Sequence, residues 1–141
     1  MSPLTEAQRA VLLDAADILV PATDTMPALR AADPAGEWLG RACRARADLV
    51  GDLAAILDGL TAVDDLENAL RAMHSQERAR FDVVATFVAG TYYLIPQIRE
   101  LVGYPGQVRA PAPIDLAADE LSDEIFEGAM NYSGSYRPAP A

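Results

Sequence analysis

FDVVATFVAGTYYLIPQIRELVGYPG, residues 81–106, decides the fold. Phe81, Val84, Ala85, Val88, Tyr92 and Ile95 recur at helical spacing on one face, and Val83, Phe87, Gly90 and Leu94 occupy much of the other. A surface helix keeps a polar face, whereas a helix apolar all round is buried. A membrane span needs ~20 apolar residues. Here Arg78, Arg80 and Asp82 bound the run on one side, and Gln97, Arg99 and Glu100 on the other. The stretch therefore predicts a central helix enclosed by other helices or by a partner chain. Pro96 lacks an N–H and its ring crowds the carbonyl four residues back, which predicts a kink or break. A last turn over 97–102 should end at Gly103 in a left-handed C′ position. Tyr104-Pro105-Gly106 then reads as a turn.

Composition narrows the function classes. The 141 residues suffice for one domain with a real core. Apolar residues make up 51% and aromatics only 6%, so Ala, Leu and Val must build that core by close helix packing. The formal net charge of −10 argues against nucleic acid or an anionic membrane, both of which need clustered cations. All eleven basic residues are Arg. Without Lys there is neither Schiff-base chemistry nor a P-loop lysine. One Cys and one His do not make a Cys/His zinc site, an intrachain disulfide or a haem-attachment motif. The N-terminus has no cationic start, no twin Arg and acids within its apolar run, so it does not read as a signal peptide and a cytoplasmic location is expected.

Outward from the centre, the remaining segments also read as helices. Thr5 is placed to cap a first helix over 6–20, with an apolar stripe of Val11, Leu12, Ala15, Ala16 and Leu19. Asp14 and Asp17 lie one turn apart. That spacing suits a solvated face or a metal, but no Glu-x-x-His partner accompanies them. Pro21 ends this helix, and residues 21–27 form a proline-bounded loop. Asp33-Pro34 offers an N-cap and N1 pair for a second helix, whose apolar face runs from Trp38 to Leu60 and includes Cys43. Glu37 with Arg41, and Arg44 with Asp48, are spaced as i,i+4 ion pairs on the other face. Asp64 with Glu67 resembles a capping box for a third helix reaching Met73, and Ser75 is placed to cap the central helix. His74 reads as a polar linker at that junction. Beyond Gly106 the prolines 111, 113, 138 and 140 and an acidic run over 115–127 predict a tail without a core, holding one short helix over 123–130.

Four pieces in order carry a resemblance. They are Ala15-Ala16-Asp17-Ile18-Leu19-Val20-Pro21-Ala22-Thr23-Asp24-Thr25, the Gly103-Tyr104-Pro105-Gly106 turn, the Pro-rich connection after it, and Tyr136-Arg137-Pro138. Together they resemble the gluconate 2-dehydrogenase subunit 3 family, the small subunits of flavin-dependent dehydrogenases of the glucose–methanol–choline (GMC) oxidoreductase type. The resemblance implies a helical accessory subunit without its own cofactor. Such a subunit binds the catalytic flavoprotein, which carries FAD, and helps it fold, mature or be exported. Many relatives begin with a twin-arginine signal, which this sequence lacks.

The expected architecture is all-α: a helical domain over 1–109 around the central helix, then a partner-binding tail over 110–141. The expected partner-binding residues are Tyr104, Ile125, Phe126, Tyr132, Tyr136 and Arg137. No catalytic, cofactor-binding or metal-binding residue is expected in this chain. Two other readings stand beside the accessory subunit: a free-standing helical module for a small apolar ligand, and an enzyme built on carboxylates with Arg. The substrate of a flavoprotein complex is not written in this chain.

Overall fold

The computed structural model describes residues 3–104, 106–107, 109, 115, 123–131 and 133–134. The chain divides into two units, Met1–Gly106 and Gln107–Ala141. All regular structure among the described residues is helical. In the first unit the elements are α1 (Glu6–Leu19), α2 (Leu29–Ala32), α3 (Glu37–Ala45), α4 (Val50–Leu60), α5 (Leu66–Gln76), α6 (Arg78–Leu94) and α7 (Pro96–Leu101). The second holds α8 (Asp123–Met130).

The central position of the 81–95 stretch is confirmed: α6 packs against each of α1, α2, α3, α4, α5 and α7. Val84, Phe87, Val88, Thr91 and Tyr92 are its buried residues. They meet Leu12, Leu53, Leu57, Leu29, Leu39 and Ile98 in one apolar core. Full burial of each such side chain contributes about 1.5–3 kcal/mol. The burial is one-sided, however. Gly90 is exposed and Leu94 is 38% exposed, where an enclosed helix would hide both. Residues 79, 86, 90 and 93 share a helical face that no other part of the first unit covers.

The helix ends are set by local chemistry. Thr5 caps α1 and Gln8 completes a capping box, its Oε1 accepting from Thr5 N at 2.9 Å. The same Gln8 is buried and donates from Nε2 to Asp58 Oδ1 at 2.8 Å, tying α1 to α4. The expected break at Pro96 is present, with Ile95 extended between α6 and α7 and Pro96 at the first position of α7. Gly103 has φ of 70°. Gly103 N donates to Glu100 O and Tyr104 N to Arg99 O at 2.8 Å, the paired bonds of a Schellman motif.

Several boundaries differ from the sequence reading. The segment from Asp33 to Leu60 is two helices, not one, with a turn at 46–49. Arg46 therefore takes Asp48, at 2.9 Å, and the Arg44–Asp48 pair does not form, whereas Glu37–Arg41 does. Asp33 still satisfies an amide at the start of α3, but it is Leu39 N, reached at 2.9 Å across a turn, and Pro34 lies ahead of the helix. The four-residue α2 was not foreseen. The α5 cap is Asp65, which accepts from Asn68 N, in place of Asp64, and α5 runs on to Gln76. Ser75 donates to Ala72 O inside α5 and so caps nothing; α6 has no side-chain cap.

Four substitutions test this account. Phe87→Asp should unfold the first unit, because the ~3–5 kcal/mol of a Phe truncation is joined by a buried unpaired charge. Thr91, fully buried with its hydroxyl unpartnered, should gain about 1 kcal/mol on replacement by Val in a denaturant titration. A Cβ at Gly90 or Gly103 meets nothing within 4 Å, so backbone alone decides there. Gly90→Ala should raise the melting temperature through helix propensity, whereas Gly103→Val should lower it through the left-handed φ.

Candidate interaction surface

Pro96 builds a corner. Ile95 is 3% exposed and Ile98 fully buried, so both sides of the break are pinned into the core. α7 is too short to hide two faces. With Ile98 inward, Leu101 is left 50% exposed and Val102 47%. On α6, Tyr92 turns inward and its hydroxyl donates to Pro27 O at 2.8 Å. Burial, then the neighbouring Tyr93, push the Tyr92 phenol above its usual pKa. The next side chain around the helix, Tyr93, is therefore turned out and 56% exposed, its ring edge-on to Tyr92 at 5.7 Å. Tyr104 is 54% exposed just past the Schellman turn.

Tyr93, Leu94, Leu101, Val102 and Tyr104 are most of the first unit's large exposed apolar side chains, and all five fall within residues 93–104. Arg99 and Glu100 lie in the same segment, and neither is in an ion pair among the described residues. Arg99 Nε is buried without a hydrogen-bond partner. Aromatic and Arg side chains amid aliphatic ones make up the usual centre of a protein interface.

Of the residues expected to contact a partner, Tyr104 belongs to this surface. Phe126 is 42% exposed on α8, one turn from Met130 at 83%. The Ile125 side chain, Tyr132, Tyr136 and Arg137 lie outside the described residues. The sequence reading did not single out Tyr93, Leu94, Leu101 or Val102. The available signal was the helical period itself, which sets Tyr93 well apart from Val84 and Val88 around the α6 axis.

The titratable groups that the sequence singled out are engaged structurally. Asp14 and Asp17 both accept from Arg30, each at 2.7 Å, so the pair is neither simply solvated nor open to a metal. Among the described residues no group of three His, Cys, Asp or Glu could hold a metal ion. His74 lies within α5 and not at a linker. Its Nε2 accepts from Arg78 at 2.9 Å and its ring stands edge-on to Phe81 at 4.8 Å. Cys43 is buried, and that burial pushes its thiol pKa up. A groove of about 450 Å³ lies between α1, α5 and α6, lined by Ile18, Leu19, Leu70 and Phe81 with Glu67, Arg71 and His74. No helix among the described residues is long and apolar enough to cross a membrane.

Labelling should report the Cys43 environment. A buried thiol with a raised pKa should react with a thiol reagent at pH 8 only as fast as the chain opens. Stoichiometric labelling of the native chain within seconds would place Cys43 at the surface.

No protein-family model, curated protein or solved structure matches the chain.

Proposed function

We propose that the chain is a non-catalytic accessory subunit of an FAD-dependent oxidoreductase of the GMC type, binding and stabilising the catalytic flavoprotein. The observation that carries this reading is the run of exposed apolar side chains on either side of the Pro96 break, Tyr93, Leu94, Leu101, Val102 and Tyr104. Exposed apolar side chains concentrated in one segment are a feature of association sites. The choice of flavoprotein as partner rests on the resemblance of residues 15–25, 103–106 and 136–138 to the gluconate 2-dehydrogenase subunit 3 family. In this reading FAD belongs to the partner, and this chain contributes folding help and interface.

A second reading, a helical module for a small apolar ligand, draws on the groove between α1, α5 and α6. Its floor of Leu70 and Phe81 suits an apolar ring, and the Glu67–Arg71 pair closes its rim.

Co-expression with the flavin oxidoreductase of the same genome tests the first reading. The flavoprotein should co-purify with this chain and carry more FAD than when expressed alone, while this chain alone shows no flavin band. Deleting residues 110–141 should leave the helical circular-dichroism signal but lower the affinity, because the tail's aromatic residues and Arg137 are assigned to the partner. Flavoprotein yield and FAD content indifferent to this chain would refute the accessory role. Unchanged affinity after truncation would confine the interface to the first unit.

A further inference from the structure

Two unpaired arginines share a cavity. Acidic residues outnumber Arg by 21 to 11 in this chain, so a guanidinium has carboxylates to spare. Arg30, Arg41, Arg46, Arg71, Arg78 and Arg80 each take one. Arg9 on α1 and Arg44 on α3 are in no ion pair among the described residues. Both line a cavity of about 250 Å³ whose wall includes Gly36, Glu37, Leu39 and Gly40.

Each guanidinium lies over a glycine. Arg9 Nη2 donates to Pro34 O at 3.1 Å, and a Cβ on Gly36 would stand 2.7 Å from Arg9 Cζ. Arg44 leans back along α3, as long helical side chains do, and its Nη1 is 3.5 Å from where a Cβ on Gly40 would stand. Gly40 N donates to Gly36 O at 3.0 Å, so these two seats are one helical turn, about 6 Å, apart. The acids nearest in sequence are committed elsewhere. Glu37 is drawn to Arg41 at 3.8 Å, and buried Asp33 accepts from Leu39 N at 2.9 Å. Like charges on one cavity repel, and an anion accepting from both relieves that repulsion.

We propose that the cavity between α1 and α3 binds a phosphate monoester, its oxygens accepting from the Arg9 and Arg44 guanidiniums. A single Arg fork satisfies a planar carboxylate, whereas the terminal oxygens of a phosphate can accept from two forks that approach from different helices. The cavity is smaller than the ~300–1,000 Å³ of drug-sized ligand sites, so the ester group is small. This site belongs to the first unit alone and does not depend on the accessory-subunit reading.

The test uses the full ¹⁵N-labelled chain in salt of about 0.15 M, where a Debye length of about 8 Å screens the distant acids of a body of net charge −10. Titration with inorganic phosphate, then with methyl phosphate, should move the Gly36 and Gly40 amide signals to saturation. Arg44→Gln should weaken binding about tenfold or more. Arg9→Lys, which keeps the charge and loses the fork, should do the same. Arg44 is exposed, so Arg44→Gln should keep the wild-type melting temperature, and its lost binding is then not lost folding. Arg71→Gln, on α5 and paired with Glu67, should bind phosphate as the wild type does. Acetate should bind about tenfold or more weakly than methyl phosphate. The proposal is overturned if neither phosphate gives a saturable shift, if Arg71→Gln weakens binding as much as Arg44→Gln, or if acetate binds as tightly as methyl phosphate. None of these outcomes touches the flavoprotein reading, which is tested by co-purification.

Discussion

Tyr92 holds together parts of the chain that are far apart in sequence. Its ring is buried in the core, and its hydroxyl meets the carbonyl of Pro27 at the end of the loop leaving α1. The bond is partly buried, and one of its kind contributes about 0.5–1.5 kcal/mol. The bond fixes where the chain turns from α1 into α2 and α3, and those helices in turn pack on α6. It also orients the last turn of α6, so that Tyr93 faces outward and the polypeptide reaches Pro96 aimed at the corner. A single side chain thus joins the entry to the helical body and its exit.

The core does most of the stabilising. The ion pairs are on the surface, and apart from Arg30 with Asp14 and Asp17 they are local. Arg41–Glu37, Arg71–Glu67 and Arg78–Asp82 sit one turn apart with exposed side chains. Exposed pairs of that kind contribute little. The buried polar groups matter more because they choose one arrangement. Gln8 joins α1 to α4, and Asp33 accepts from the Leu39 amide in the first turn of α3. Thr91 differs, with a buried hydroxyl that has no partner, as does Arg99 at Nε.

The helical class, the hub, the Pro96 break and the Gly103 stop were legible because each rests on local chemistry: apolar density, a missing N–H, a residue free to take positive φ. The division of the second helix was not legible. Arg46-Ala47-Asp48 holds neither Pro nor Gly, and the apolar pattern runs almost unbroken from Trp38 to Leu60. The turn there arises from packing, since α3 lies against α6 while α4 must also reach α1. The open side of α6 was misread for a related reason. Small apolar residues such as Ala79 and Gly90 look alike in sequence whether they are covered or bare, and only the arrangement of neighbouring helices decides. The resemblance reached Tyr104 and the tail, whereas Tyr93, Leu94, Leu101 and Val102 emerged as surface only from the geometry.

The corner at Pro96 also bears on how fast this chain can recognise anything. Ile95 and Ile98 are buried on either side of the break, and the Schellman bonds lock the turn that follows. Swinging α7 away would drag two isoleucines into water. The apolar corner is therefore held in one shape before any encounter. Little backbone freedom remains there to be lost on docking, so the entropic penalty of association falls mainly on rigid-body motion and side-chain rotamers. Anything that docked on a surface prepared in this way would meet a fixed template, and the rearrangement would fall to the other side.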